Sequence, residues 1–200
     1  MSVIAIVPVR ALEGAKSRLG EALDAEERRD LVIRLLHRTL AELAATETIE
    51  RTIVVSADEE VLAIARSAGV VPLRQVGGGL NAALDQARAA AIDLGASGLL
   101  VLPGDLPAVV ADALDAVVEA RPAGPSVVLV PDRHGRGTNA LLVTPADVIA
   151  FAFGGDSRAA HSALARAAGA TYVELDGPLA LDLDTPEDLL LARQRTGAAG

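Results

Sequence analysis

The 200-residue chain has no cysteine and no tryptophan, one methionine, and only 2% aromatic residues: Phe151, Phe153 and Tyr172. Without cysteine there is no disulfide framework, thiolate zinc site or cysteine nucleophile. The three histidines (His37, His134, His161) lack metal-ligand spacing, which argues against a histidine zinc site too. Lysine is nearly absent: of 18 basic residues, Lys16 is the single lysine. Set against 27 acidic residues they leave a net charge of −9, the opposite of the basic footprint of a nucleic-acid or anionic-membrane binder. No apolar stretch reaches membrane-spanning length, and the N-terminal run 3–7 lacks the long apolar region and cleavage site of a signal peptide. The expectation is a soluble cytoplasmic protein whose core is built from Ala, Val, Leu and Ile.

The hydrophobic residues, 51% of the chain, are ordered in short runs. Segments 3–7, 52–56, 98–102, 126–130, 140–143 and 171–175 read as strands, and uninterrupted apolar runs suit strands buried on both faces of a mostly parallel sheet. Helical patterns lie between them: from the capping-box signal at Asp24 to Ala45, from Asp58 to Ala68, and over 80–94, 107–120, 157–168 and 186–195. Strand–helix alternation over this length predicts one three-layer α/β domain over 1–195, with 196–200 a frayed tail. Ligands of such sheets bind beyond the carboxyl ends of the strands.

The candidate chemistry sits at those ends. After the first strand, Arg10, Lys16 and Arg18 fall within nine residues and could clamp a polyphosphate, or form a solvated basic loop. Leu102-Pro103-Gly104-Asp105-Leu106-Pro107 places an acid after the third strand, readable as a metal ligand or a helix N-cap. In Leu181-Asp182-Leu183-Asp184, both carboxylates face one side of an extended segment and repel unless a cation lies between them. Thr185 to Asp188 has capping-box form, whereas Asp182 and Asp184 have no evident structural task. With Asp105 they could bind Mg2+, which takes carboxylates together with substrate phosphates. The loop 131–140 holds Arg133, Gly135, Arg136 and Gly137, either an anion cradle or a hairpin-like link with solvated arginines. Gly154 to Ser157 opens a helix, as an anion site or a plain cap. Asn81 opens another, either capping it or reading a base edge.

Taken in order, Ala15-Lys16-Ser17-Arg18-Leu19, Gly79-Leu80-Asn81, Gly104-Asp105-Leu106-Pro107, Pro131-Asp132-Arg133 to Gly137-Thr138-Asn139, Phe153-Gly154 to Ser157 and Asp182-Leu183-Asp184-Thr185-Pro186 resemble the 2-phospho-L-lactate guanylyltransferase family. Its bacterial members are often described as phosphoenolpyruvate guanylyltransferases of deazaflavin coenzyme (F-420) biosynthesis. The resemblance runs from Val3 to about Arg193. It implies a nucleotidyltransferase fold like that of nucleotide-diphospho-sugar transferases, with a mixed, mostly parallel sheet. It implies an enzyme that joins GTP to a three-carbon phosphoacid with Mg2+ and releases pyrophosphate. By motif, Asp105, Asp182 and Asp184 match the metal-binding acids, Thr138, Gly154 and Ser157 the phosphoacid positions, and Lys16 and Arg18 the nucleotide-phosphate loop. Relatives commonly carry lysine where this chain has Arg10, so the resemblance does not carry a role over to Arg10.

The reaction is consistent with the residues present. A phosphate monoester, with a second pKa of about 6, is largely ionised at neutral pH and needs no general base to attack. Charge neutralisation and in-line positioning are what remain to be supplied. The competing readings are another small-molecule nucleotidyltransferase, with a 3-phosphoglycerate acceptor or of molybdenum-cofactor type, and a non-catalytic nucleotide-binding domain. Against the molybdenum-cofactor reading, Pro8-Val9-Arg10 does not open a glycine-rich loop. Choice of acid, selection of guanine, for which Asn81 and Asp58 are candidates, and oligomeric state (a homodimer among the options) stay open at the level of sequence.

Overall fold

The computed structural model describes residues 1–197; the end of the tail 196–200 therefore lies outside the described residues. Seven strands form one sheet: β1 (Val3–Pro8), β2 (Arg51–Ser56), β3 (Val71–Arg74), β4 (Gly98–Val101), β5 (Ser126–Pro131), β6 (Thr138–Thr144) and β7 (Thr171–Glu174). Their order is β3-β2-β1-β4-β6-β5-β7, with β6 antiparallel to both its neighbours and every other pairing parallel. This is the expected mixed, mostly parallel sheet. The helices are α1 (Ala25–Ala45), α2 (Glu59–Ser67), α3 (Leu80–Asp93), α4 (Ala111–Glu119), α5 (Ser157–Ala167) and α6 (Pro186–Gly197).

Alternation along the strands divides the core into two layers. In β1, Val3, Ala5 and Val7 pack against Val32, Leu36, Leu40 and Leu43 of α1 and Leu114 and Val117 of α4. Ile4 and Ile6 face the other way, against Ala83, Leu84, Ala87 and Ala91 of α3 and Ala165 of α5. Small alanines on α3 let that helix lie close to the sheet, which suits a chain so poor in aromatic bulk. Helix α6 adds a smaller cluster, in which Leu181, Leu183, Leu189 and Ala192 meet Leu35 of α1. Among the described residues no helix is long and apolar enough to cross a membrane.

Two elements depart from the sequence reading. Strand β3 has no counterpart there, because Pro72 interrupts its short run; as an edge strand it pairs only with β2, and an edge tolerates proline. Helix α4 begins at Ala111 rather than at Pro107. Its N-terminal Ala111 N–H donates to Glu42 Oε2 of α1 at 2.9 Å, a cap supplied from a distant helix. Asp105 is consequently not the N-cap of a helix.

Candidate functional site

The loop after β1 is pinned from both ends. Val9 N–H donates to Val55 O at 3.0 Å, and Leu12 N–H donates to Asp58 Oδ2 at 2.9 Å. Leu12, in the first core layer, and Leu19 are both buried and anchor the loop's apolar side. Lys16 has φ 52°, making it the non-glycine residue with left-handed backbone among those described. It leads directly into the 3-10 turn Ser17–Leu19. That conformation is uncommon for a side chain larger than Asn and occurs where surrounding structure over-determines it.

Asp105 is placed by packing around it. Leu102 N–H donates to Ile6 O at 3.2 Å, continuing the β1–β4 register past the end of β4. Leu102 and Leu106 are fully buried, while Gly104 passes so close to the core that a Cβ would lie 3.2 Å from Leu36 Cδ1 and Val7 Cγ1. Only glycine fits there without displacement, and the turn carries Asp105 to the carboxyl edge.

The third segment alternates as the pattern 181–184 predicts. Leu181 and Leu183 are buried against α1 and α6, leaving Asp182 and Asp184 half-buried on the other side. Asp188, 1% exposed, organises this turn: its Oδ2 accepts from Asp184 N–H at 3.1 Å, Thr185 N–H at 2.7 Å and Thr185 Oγ1 at 2.8 Å. Its Oδ1 lies 2.7 Å from Arg133 Nε. Arg133, read from sequence as an anion-loop cation or a solvated arginine, is instead the counter-ion of Asp188.

These segments converge on Lys16. Its ammonium donates to Asp105 Oδ2 and, at 2.8 Å, to Asp184 Oδ1, and its side chain is 9% exposed. Arg18 Nη1 stands 3.8 Å from Asp184 Oδ2. Burial by itself would lower the Lys16 pKa, but Asp105 and Asp184 outweigh it and hold the ammonium above its ordinary value. Burial likewise pushes Asp184 up, and Lys16, Arg18 and Arg10 reverse this and leave it below the ordinary carboxylate value. Asp182 differs. Burial raises it, the nearby Asp184, Asp188 and Asp105 charges raise it further, and a backbone hydrogen bond offsets only part of this. Lys16 thus bridges Asp105 and Asp184, and does not stand between Asp182 and Asp184, where the spacing called for a cation. Among the described residues no three acidic, histidine or cysteine groups are arranged as a ready metal-ligand set.

A second cluster occupies the same edge of the sheet, because β6 runs antiparallel and starts where β5 ends. The β5–β6 link is the hairpin-like alternative. Asp132 Oδ1 accepts Arg136 N–H at 2.8 Å, Gly135 turns with φ 70°, and a Cβ on Gly137 would meet Asp132 Oδ2 at 2.7 Å. Thr138 opens β6 and Ser157 opens α5; Ser157 Oγ donates to Thr138 Oγ1 at 3.0 Å. Gly154 lies just before, with no atom within 4 Å of where a Cβ would sit, so its backbone borders open space. Asn81 is committed to that loop rather than free to meet a base: its Nδ2 donates to Phe153 O at 3.1 Å and its Oδ1 accepts Phe153 N–H at 2.9 Å. Asp58, the other base-reading candidate, caps α2 through Glu60 N–H at 2.9 Å besides holding Leu12. The sequence reading gave no role to His161, which contacts both Thr138 and Ala152. Its position one helical turn after Ser157, on the same face of α5, was the available signal.

The two clusters are tied together at their base by the Arg133–Asp188 pair and by buried Asn139, whose Nδ2 donates to Leu179 O at 3.0 Å. Two cationic side chains and three acids on one side, and hydroxyls at a helix start without a side-chain cap on the other, suit a reaction between two phosphate-bearing substrates.

Comparison with known proteins identifies the lineage of the chain. The family described as "Guanylyl transferase CofC like" matches residues 3–192. A phosphoenolpyruvate guanylyltransferase of Sphaerobacter thermophilus is 46% identical over 190 residues, covering 94% of this chain and 91% of that protein. One from Rubrobacter xylanophilus is 44% identical, covering 94% and 92%. Among solved structures, a putative nucleotide-diphospho-sugar transferase from Desulfovibrio desulfuricans superposes with TM-score 0.79 at 17% identity, covering 98% of this chain and 88% of that one. CMP:2-keto-3-deoxy-manno-octonic acid synthetase in complex with CTP gives 0.64 at 14% identity, with both chains fully covered. These structures share the fold, whereas identity over nearly the whole length fixes the lineage. The chain belongs to the CofC-like guanylyl transferase family.

Proposed function

We propose that this enzyme transfers GMP from GTP to the phosphate of phosphoenolpyruvate and releases pyrophosphate, as a step of F-420 biosynthesis in the cytoplasm. The observation that carries the proposal is the convergence of Lys16, Asp105 and Asp184 from three distant segments beside Arg18. A triphosphate needs cations to approach an acidic protein, and Lys16, Arg18 and Arg10 form the cationic side of this edge. The phosphoacid would sit at Thr138, Ser157 and the open Gly154 backbone, where donors are available and no carboxylate takes part in the hydrogen-bond cluster. The acceptor phosphate is the nucleophile as it stands, so the site's task is to hold it in line with the α-phosphorus of GTP.

Mg2+ suits the oxygen chemistry of the three acids, which would have to draw together around it, since Lys16 bridges two of them and they form no ready ligand set. Asp105 and Asp184 offer hard oxygens that already share one cation, and Asp182 is pushed up in pKa by burial first and by the neighbouring carboxylates second. Asp105, Asp182 and Asp184 would hold the ion, which when bound would neutralise phosphate charge and orient the triphosphate. Lys16 and Arg18 would stabilise the departing pyrophosphate through their own charges.

The test is a pyrophosphate-release screen of GTP, ATP and CTP, each with phosphoenolpyruvate, 2-phospho-L-lactate and 3-phosphoglycerate, with and without Mg2+. Release is expected with GTP and phosphoenolpyruvate, dependent on Mg2+. Release with 2-phospho-L-lactate alone would replace the acceptor, and no release in any combination would overturn the transfer reaction.

A further inference from the structure

His161 is fully buried, the reaction above makes no use of it, and its surroundings determine its hydrogen atoms. Ala152 N–H can only donate, and it donates to His161 Nε2 at 3.1 Å. The ring must therefore be neutral, with its proton on Nδ1. Burial favours the same state, lowering the pKa from 6.5 to about 4. Nδ1 lies 3.2 Å from Thr138 Oγ1, so this contact has the ring donating and the threonine oxygen accepting.

The consequence lies in counting protons. Thr138 and Ser157 have two hydroxyl hydrogens between them. One is used in the Ser157-to-Thr138 bond. Were Nδ1 an acceptor, the other would be drawn onto the ring and the pair would present only lone pairs. Because Nδ1 donates, the Thr138 hydrogen is left over. Thr138 is 8% exposed, and neither His161 nor Ser157 takes up this hydrogen.

We infer that His161 is a positioning residue that turns the Thr138–Ser157 pair into a hydrogen-bond donor for the anionic end of the phosphoacid. The inference rests on the proposed placement of the phosphoacid at Thr138 and Ser157. The ring is in turn held on its other sides. Phe153 packs edge-on at 4.8 Å between centroids, and Asn81 grips the Phe153 backbone through both amide groups. Asn81, Phe153, Ala152 and His161 thus form one partly buried support behind the Gly154 loop.

Two measurements test this. Histidine-selective 15N spectra contain three rings, and the His161→Asn variant identifies the signal of His161. A neutral Nδ1–H ring is expected, and an Nε2–H ring overturns the inference whether or not the protein turns over. In kinetics, His161→Phe keeps a ring but removes the donor, and should raise the KM for phosphoenolpyruvate about tenfold, the equivalent of about 1.4 kcal/mol, with the KM for GTP unchanged. His161→Asn, whose amide nitrogen falls near the Nδ1 position, should recover most of that loss. Thr138→Val should match His161→Phe, and the double variant should be no worse than Thr138→Val alone, because the histidine acts through the threonine. Thr138→Val raising the KM while His161→Phe leaves it unchanged overturns the inference and spares the phosphoacid placement. A normal KM in Thr138→Val overturns that placement and the inference together. An Nδ1–H ring in a protein that releases no pyrophosphate supports the donor geometry and rejects the reaction.

Discussion

Replacing Lys16 with methionine removes one positive charge while keeping most of the stem. The ammonium is shared by Asp105 and Asp184, and its side chain is 9% exposed. Removing one partner from a fully buried ion pair costs about 3–5 kcal/mol. Here the Asp105 and Asp184 side chains are 26% and 46% exposed, so water and salt screen most of that loss. Burial also opposes the charged lysine, and methionine lifts that opposition. The net stability loss should be about 1 kcal/mol, or about 2–4 °C in Tm for a chain of this size. Catalysis should suffer more, since a fixed charge aimed at developing phosphate charge is worth roughly 10²–10³ in kcat. Continuous pyrophosphate release at saturating GTP and phosphoenolpyruvate, alongside thermal unfolding, separates the two effects. A kcat within about threefold of wild type, less than 1 kcal/mol of barrier, would refute the role assigned to Lys16. Lys16→Arg should not restore the rate, because a planar fork does not reproduce a point charge in so enclosed a slot.

Gly104→Ala should destabilise the fold by about 1–3 kcal/mol in urea unfolding and lower kcat, because its Cβ is forced against Leu36 and Val7 and displaces Asp105; an unchanged midpoint would contradict this. Asp188→Ala should lose about 3 kcal/mol of stability and most activity, since it leaves Arg133 with only the exposed Glu187 at 3.8 Å and frees the Asp184 backbone; wild-type kinetics would show that Asp184 needs no such anchor. His161 makes stability fall in acid. The folded ring stays neutral down to about pH 4 whereas the unfolded one takes up a proton near 6.5. Its contribution is therefore complete above pH 6.5 and declines by about 3 kcal/mol on the way to pH 4. Subtracting the pH–stability curve of His161→Asn from that of the wild type should isolate this slope, and parallel curves would refute it.

Where local signals carried the information, the sequence reading and the structure coincide. Short, largely apolar runs gave six of the strands within two residues at each end, and the capping box at Asp24 does start α1, with Glu27 N–H donating to Asp24 Oδ1 at 2.9 Å. Thr185 to Asp188 caps α6 as its spacing predicts. The reading failed where a partner came from far along the chain. Glu42 caps α4 from another helix, so Pro107 was misleading as a start signal. Asp58, Asn81 and Arg133 were each polar residues in loops and open to a ligand role, yet each is engaged by a segment distant in sequence.

The sequence by itself determined the classes of chemistry that are excluded, the layered α/β architecture and the family, because composition, periodicity and motif order are properties of the chain alone. It also singled out Lys16, Asp105 and Asp184 as residues at strand ends. Only the tertiary structure decided what these do to one another. Their separations in sequence, 89 and 168 residues from Lys16, carry no trace of a shared hydrogen bond. Nor does periodicity reveal that the cation between two acids is a lysine side chain. Charge and hydrogen-bond direction depend on which groups burial brings within about 3 Å. That distance is set by the closing of the sheet and the packing of its helices.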